Sequence, residues 1–364
     1  MAYLIGTDEA GYGPNFGPLV VSATVWQVPD GMSHADLYAA VKDCITAWPK
    51  HLAKPKKAKK AKSTKKKKAA KKAKKKTKSR KIRIDHRVWM ADSKQLYKPG
   101  NASRGLAGLE RGVLAALVAC SDPSSLATPA DWHDLWQTLC GNDHASMKQL
   151  PWYADFDECL PVAMAAEEVA NAAERLSTGL AEAEVRLCRI RSRAIDASQF
   201  NELLCEYGNK SEVLSHVTLG LAAEQIEWLR NVAEEPTAIH VLCDKHGGRN
   251  HYAALLAHHF SDTFVEVREE SRPISSYEFG STGERVTFAF KAKADNILAA
   301  GLASMTSKYL RELAMRAFND FWRGHDAELR PTAGYPGDAR RFKQQIATVQ
   351  ANLGISDHML WRDR

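Results

Sequence analysis

The sequence of 364 residues is short of several things, and each shortage excludes a class of protein. It has seven cysteines, an odd number, at Cys44, Cys120, Cys140, Cys159, Cys188, Cys205 and Cys243, and no CxxC pair. That argues against a disulfide framework or a cysteine-built zinc site and fits a reducing cytoplasm. No run of 18 uncharged apolar residues occurs, so no membrane-spanning helix is expected. The opening MAYLIGTDEAGYG has no basic stretch ahead of its apolar residues and does not read as a secretory leader. Neither a GxGxxG spacing nor the Lys-Ser/Thr of a nucleoside-triphosphate loop follows the early glycines.

Acid is the most unevenly missing component. Residues Lys54 to Arg83 contain 17 Lys and 2 Arg and no Asp or Glu. The whole chain carries 51 Lys+Arg against 43 Asp+Glu, a formal +8. Without that run it has 32 basic and 43 acidic residues, a balance of −11. The chain is thus an acidic globular protein with one intensely basic segment. Self-repulsion and the lack of apolar residues predict that 54–83 is a disordered Lys-rich insertion. It serves either as a contact for nucleic acid through counterion release or as a solubility tail. With 45% hydrophobic residues, the remainder has ample material for a core.

The periodicities predict an α/β sheet domain. Tyr3–Thr7 and the β-branched Leu19–Trp26 flank GYGPNFGP, which must turn, so a hairpin opens the sheet. Strands are expected at 184–195, 239–243, 264–268 and 285–291. Helices are expected at 36–48, 106–118, 197–206, 213–232, 294–321 and 339–351. The stretch 120–183, rich in Trp, Pro and Ala, reads as a helical insertion. The expected organisation is a main sheet domain from 1–53 and 84–325, the two insertions, and a helical extension over 326–364. The nine tryptophans read as packing residues.

Four acids stand at places where a fold gathers side chains. Asp8 and Glu9 end the first strand, Asp244 ends IHVLC, and Asp295 follows KAKA near a helix start. Strand ends and a helix start can bring carboxylates to one rim, and such a set suits Mg²⁺ or Mn²⁺. Two such ions roughly 3.5–4 Å apart serve phosphodiester hydrolysis. The plainer reading of each acid is a turn or helix cap. Asp92 reads as a cap for the Ser-Lys turn or as a fifth acid of the site. His246 reads as a loop histidine or an auxiliary proton carrier. Lys291 and Lys293 read as phosphate contacts or as a solvated strand end. His251, His258 and His259 read as surface or core-edge residues, with zinc the less favoured reading.

Beyond spacing, the residues themselves resemble a family. GTDEAGYGPNFGPLVVSATVW resembles the opening of type 2 ribonucleases H, ribonucleases HII and HIII, with their DEAG-[RK]-G turn. ADSKQL at 91–96 looks like the DSK element, and HVLCD at 240–244 like the strand that bears the third acid. IRSRAIDASQFNELLCEYGNKSEVLSHVTLGLAAEQI looks like the family's strand, helix and long helix. KAKADNILAAGLASMTSKYLRE is similar to the helix after the fourth acid, and GYPGDARRF with the late His358 to the C-terminal segment. The motifs are collinear outside the lysine run and much of 120–183.

The resemblance implies a ribonuclease H-like mixed sheet flanked by helices and a monomeric, metal-dependent endoribonuclease. The enzyme would cut the RNA strand of an RNA–DNA hybrid, or ribonucleotide-containing DNA, leaving 5′-phosphate and 3′-hydroxyl ends. It implies Asp8, Glu9, Asp244 and Asp295 as metal carboxylates, with Ser93 and Lys94 on backbone phosphates. Gly11 and Gly13 would admit a ribose 2′-hydroxyl, and Tyr335 would stack at the junction. Tyr12 departs from the pattern, because the family has Arg or Lys there. Asp8 lies so early that the plan is HII-like, without the N-terminal substrate-binding domain of the HIII type. Two rivals stand beside this reading: a non-catalytic nucleic-acid-binding protein of the same fold, and a nuclease with another target.

Overall fold

The structure is a computed structural model and describes residues 1–47, 86–98, 105–121, 128–141, 143–281 and 283–363. The expected lysine-rich insertion at 54–83 lies outside the described residues, as does part of the insertion expected at 120–183.

The strands in chain order are β1 (Ala2–Ala10), β2 (Leu19–Val28), β3 (Ile45–Thr46), β4 (Val88–Trp89), β5 (Arg186–Ile195), β6 (Ile239–Asp244), β7 (Glu266–Glu270), β8 (Ile274–Phe279) and β9 (Val286–Lys291). The helices begin with α1 (Leu37–Ala40), α2 (Ser93–Leu96), α3 (Ala107–Ala119), α4 (Trp132–Cys140), α5 (Asp143–Met147), α6 (Pro151–Ala154) and α7 (Ala166–Glu182). They continue with α8 (Ala197–Tyr207), α9 (Lys210–Val232), α10 (Ala253–His259), α11 (Leu298–His325), α12 (Pro336–Asn352) and α13 (Asp357–Leu360).

Seven strands form one mixed sheet in the order β5-β2-β1-β6-β9-β8-β7. Its centre, β1-β6-β9, is parallel, and both flanks are antiparallel. Alternation along the strands builds two cores. Leu4, Val20 and Trp26 face one side with α3, α7 and α11, while Ile5, Val21 and Val25 face the other with α9 and α10. The expected mixed sheet flanked by helices is therefore what forms.

Helix α11 lies directly on β1. A Cβ added at Gly6 would meet the Ala299 and Ala300 backbone at 2.3 Å, so only glycine permits this approach. The α11 residues at this crossing are small: Ala299, Ala300 and Ala303. Thr24 Oγ1 on β2 donates to Ala299 O at 2.9 Å and ties the helix across two strands.

Away from the sheet centre, Glu110 on α3 is fully buried and accepts from Val162 N–H at 2.6 Å, Ala163 N–H at 2.7 Å and Tyr309 O–H at 2.7 Å. One carboxylate thus joins α3, the segment before α7, and α11. Trp132, Trp136 and Trp152 are buried among these helices, as packing tryptophans should be.

Three local expectations need correction. The helix expected over 36–48 is one turn, α1, followed by the short strand β3. Val41, Ile45 and Thr46 are β-branched, and β3 pairs with β4 instead. The helix expected from residue 294 starts at Leu298, because Lys293 adopts φ 63° and a single tight turn, Ala294–Asn296, intervenes. The strand expected at 264–268 is displaced to Glu266–Glu270, where it pairs with β8. Ile274–Phe279 (ISSYEF) was not expected as a strand; it alternates in burial, but its serines and glutamate weaken the apolar signal.

Candidate active site

Topology brings the acids together. Because β1 and β6 run parallel with Thr7 opposite Cys243, both strands deliver their next residues, Asp8 and Asp244, to the same edge. Ligand sites in open α/β sheets sit at this carboxyl edge. Asp295 comes to the same edge in the tight turn between β9 and α11, since β9 is parallel to β6 and its Lys291 lies opposite Asp244. The Ala294 N–H donates to Asp244 Oδ1 at 3.3 Å and joins that turn to the end of β6.

Asp8 is 7% exposed and Asp295 4%, both unusual for lone carboxylates. Burial first, and then the Glu9 charge, hold Asp8 well above the usual carboxylate range, with Asp244 and Asp295 adding to the push. Burial and the neighbouring Asp244 lift Glu9 to about 7, against the pull of Lys94 and a hydrogen bond from Asp8. Burial and Asp92 raise Asp295, and Lys94 opposes them. Although adjacent on β1, which runs on to Ala10, Asp8 and Glu9 each feel the other's carboxyl.

Helix α11 supports the cluster from below. Ser307 Oγ donates to the Asp8 backbone carbonyl at 3.0 Å, and a Ser304 hydrogen bond lowers the Asp8 carboxyl. Ser304 Oγ also donates to Ser93 Oγ at 3.1 Å. Ser93 is buried and turned toward α11, so its side chain holds α2 in place. Lys94, next in sequence, is 80% exposed and reaches Asp295 Oδ2 at 3.5 Å. Asp92 caps α2, accepting from Lys94 N–H at 2.9 Å, which is the plainer of its two readings.

The glycine turn lies alongside. Gly11 has φ 91°, and an added Cβ would strike Pro18 O at 2.5 Å, so the turn requires glycine there. Gly13 lies under the Tyr335 ring, whose Cε1 would be 3.9 Å from an added Cβ. Tyr335 is half exposed and shares with Lys94, Lys98, Lys308 and Arg311 a groove of about 590 Å³. Tyr12 leans away from that groove, with its hydroxyl 3.3 Å from where a Cβ on Gly247 would lie, and it feels both Glu9 and Arg249. Arg249 is itself paired with Glu212 at 2.6 Å.

Two residues missed at the level of sequence shape this turn. Arg311, buried on α11, donates to Phe16 O at 3.2 Å and Ala333 O at 3.1 Å. Arg362, buried near the C-terminus, donates to Gly11 O at 2.6 Å and to Pro14 O. Together they clamp the turn to the segment bearing Tyr335. Arg311 stands among Lys308, Glu312 and Arg316 in α11 with nothing to mark it as the buried one, and Arg362 offered no signal either.

Other candidates fall outside the cluster. His246 is buried against Ser215 Oγ at 3.0 Å and its ring is held neutral, with burial lowering it to about 3, so it is a loop anchor. His251 Nδ1 meets Glu270 Oε2 at 2.5 Å. Lys291 and Lys293 are exposed at the end of β9.

The donor set is all carboxylate oxygen, which fits hard divalent cations such as Mg²⁺ or Mn²⁺ better than softer ones. The raised carboxyls point the same way, since such a cation would relieve their mutual repulsion. The acids are not drawn tightly together. Among the described residues, the one trio of His, Cys, Asp or Glu ligand atoms all within 4.8 Å is His216, His258 and His259.

No family model and no curated protein matches the chain. Among solved structures, the chain is similar to Bst-RNase HIII in complex with Mn²⁺, at 14% identity and a TM-score of 0.40, covering 99% of this chain and 66% of that one. It is also similar to the ribonuclease H2 from Pyrococcus horikoshii OT3, at 14% identity and a TM-score of 0.36, covering 98% and 92%. The RNase HII complex with PCNA from Archaeoglobus fulgidus gives 13% identity and a TM-score of 0.38, covering 99% and 94%. Among the described residues no helix is long and apolar enough to cross a membrane.

Proposed function

We propose that the protein is a metal-dependent endoribonuclease of the type 2 ribonuclease H kind, cutting the RNA strand of RNA–DNA hybrids or ribonucleotide-containing DNA. The observation that carries this reading is the meeting of Asp8, Glu9, Asp244 and Asp295 at one sheet edge, beside a basic groove that holds Lys94 and Tyr335. The DEAG, DSK and KAD motifs, quoted above from the sequence, support it independently.

The four carboxylates would hold Mg²⁺ or Mn²⁺. Such ions, when bound, favour in-line attack of water on phosphorus and stabilise the leaving oxygen. The chain's own residues bind and orient. Lys94 places a point charge where a backbone phosphate would enter the groove. Ser93, bonded to Ser304, positions Lys94 and works from behind it. Gly11 and Gly13 leave the turn without side chains, so that backbone can approach a ribose 2′-hydroxyl, the group that distinguishes RNA from DNA. Tyr335 offers a ring face for stacking. The lysine run 54–83 supplies sequence-independent affinity for the polyanion, which the acidic remainder of the chain lacks. We read the enzyme as a cytoplasmic monomer.

The test is cleavage of three matched labelled duplexes in Mg²⁺ or Mn²⁺: a uniform hybrid, a duplex with one ribonucleotide, and all-DNA. The expected result is cutting on the RNA strand only, with 5′-phosphate and 3′-hydroxyl ends. An intact hybrid in both metals, with the protein still bound to it, would leave a binding protein. Tyr12, turned toward Gly247 in place of the family's cation, favours a weaker preference for the single-ribonucleotide duplex. Cutting of all-DNA would instead make it a nuclease with another target.

A further inference from the structure

The strongest constellation outside the carboxylate edge lies on the opposite side of α9. His216 projects from the second turn of α9, while His258 and His259 are the last two residues of α10. His216 Nδ1 stands 3.1 Å from His259 Nε2, and one ligand nitrogen from each of the three rings lies within 4.8 Å of the others. The ring centroids are 5.0 to 5.2 Å apart, so the three imidazoles surround a common point. Tyr207, ending α8, stacks on His216 at 3.9 Å and fixes its plane.

A hydrogen-bonded histidine pair is a common way of satisfying two half-buried rings. It does not explain a third imidazole converging on the same point. Were the rings protonated, three cations would be crowded together with Arg249 also nearby; Glu206 and Glu212 are the acids facing His216. Burial and the neighbouring rings instead lower His259 to about 4 and lower His216, which keeps both rings neutral at neutral pH; the hydrogen shared by His216 Nδ1 and His259 Nε2 would move to a ring's other nitrogen when a metal took its place. Neutral imidazole is the form that binds metal. At a Zn–N distance of about 2.0–2.1 Å, tetrahedral nitrogens stand roughly 3.3 Å apart, close to the His216–His259 separation. His258 is exposed, so the site is open to solvent on its side, and His216 also lines a groove of about 410 Å³.

We propose that His216, His258 and His259 form a three-histidine site for a borderline transition-metal dication, Zn²⁺ in the first instance, with water as fourth ligand. Its chemistry differs from that of the carboxylate edge, because imidazole nitrogen selects Zn²⁺ where carboxylate selects Mg²⁺ or Mn²⁺. Its role is structural. It staples α10 to α9 and so secures the loop, 245–252, that leaves Asp244. The proposal stands whether or not the carboxylate edge is catalytic.

The experiment uses the full chain, stripped by chelator and held in excess Mg²⁺ so that hard-oxygen sites are filled. Thermal unfolding is followed with and without Zn²⁺, and Co²⁺ is added separately as a spectroscopic probe. With Zn²⁺ at about 100 times its dissociation constant, Tm is expected to rise by about 3–6 °C. Co²⁺ is expected to give the visible absorption of a low-coordinate nitrogen site at one equivalent. His258 is exposed, so His258→Ala should fold with the Tm of the wild-type protein in chelator, yet lose the Zn²⁺ shift and the Co²⁺ band. A wild-type chain with no Zn²⁺ shift and no Co²⁺ band overturns the proposal, and so does a His258→Ala chain that keeps both.

Discussion

Two regions of this molecule bury carboxylates, and they do so in opposite ways. Glu110 is completely enclosed and meets three donors, two backbone N–H groups and the Tyr309 hydroxyl. Asp8, Glu9 and Asp295 are buried or nearly so and meet chiefly one another, with Lys94 as the near cation. A carboxylate buried with all its donors is structural, since its desolvation is offset by hydrogen bonds. A group of carboxylates buried against their own kind is a local cost that a fold keeps where something else is to bind. On the proposed function, the contrast separates the acid that builds from the acids that would work, and it can be broken experimentally.

The largest effect should come from the working set. Asp244→Asn keeps shape and removes charge, and is expected to lower hybrid cleavage by roughly 10³-fold, the scale of losing one group that stabilises the transition state. Asp8→Asn should lose activity similarly while its Tm stays at or above that of the wild-type protein, because a repelling charge is gone. Single-turnover rates and thermal melts read the two halves. A variant that cleaves normally, or that melts well below wild type, places these acids with Glu110 instead.

Glu110 should behave in reverse. Glu110→Leu strands two N–H groups and a hydroxyl in the core, each worth about 1–3 kcal/mol when left unsatisfied, so a loss of about 3 kcal/mol is expected. Urea unfolding would show the midpoint falling at unchanged slope, with the folded fraction still active. A midpoint equal to wild type would mean that Glu110 builds nothing.

How much of this contrast could be read without coordinates differs between its halves. Asp8 and Asp244 drew notice because each closes an apolar run, and Asp295 because it precedes a helix, while the resemblance of the DEAG and KAD motifs is what singled out the four acids. The sheet was legible where β-branched residues are dense, as in Leu19–Trp26. Glu110 was not: within AGLERGVLAALVA it looks like an ordinary surface acid, and only the return of Val162, Ala163 and Tyr309 encloses it. Ser304, Arg311 and Arg362 were hidden for the same reason. Their partners are remote in sequence, and a polar residue on a helix says nothing about what the chain will later lay over it. The bond of the motif residue Ser93 to Ser304 was hidden likewise, since α11 could not be seen beneath it.

The pH dependence of stability should carry the sign of the working set. Glu9 ordinarily titrates near 4.5 and in the folded chain is raised to about 7. Between those values the folded state holds a proton that the unfolded state has released. The contribution of Glu9 to the stability of the chelated protein therefore falls as pH rises from 4.5 to 7. Glu9→Gln should shrink that slope, whereas Glu110→Leu should leave it in place. Urea midpoints measured across the window in chelator decide the matter, and an identical slope in Glu9→Gln and wild type would detach Glu9 from the cluster.

The smallest effect should belong to Lys94, although it is the cation nearest the cluster. Its ammonium is 80% exposed and 3.5 Å from Asp295, so as an ion pair it adds little to stability. If it serves the groove, its work is done on a phosphate, and a single exposed point charge is worth a few-fold in binding. Lys94→Gln should then raise KM for a hybrid about three- to fivefold, lessen the salt dependence of binding, and leave kcat and the urea midpoint nearly unchanged. Lys94→Arg should restore most of KM, since a phosphate contact asks for charge at that point. A fall in kcat at constant KM would instead put Lys94 inside the working set, where it balances the acids and does not meet substrate.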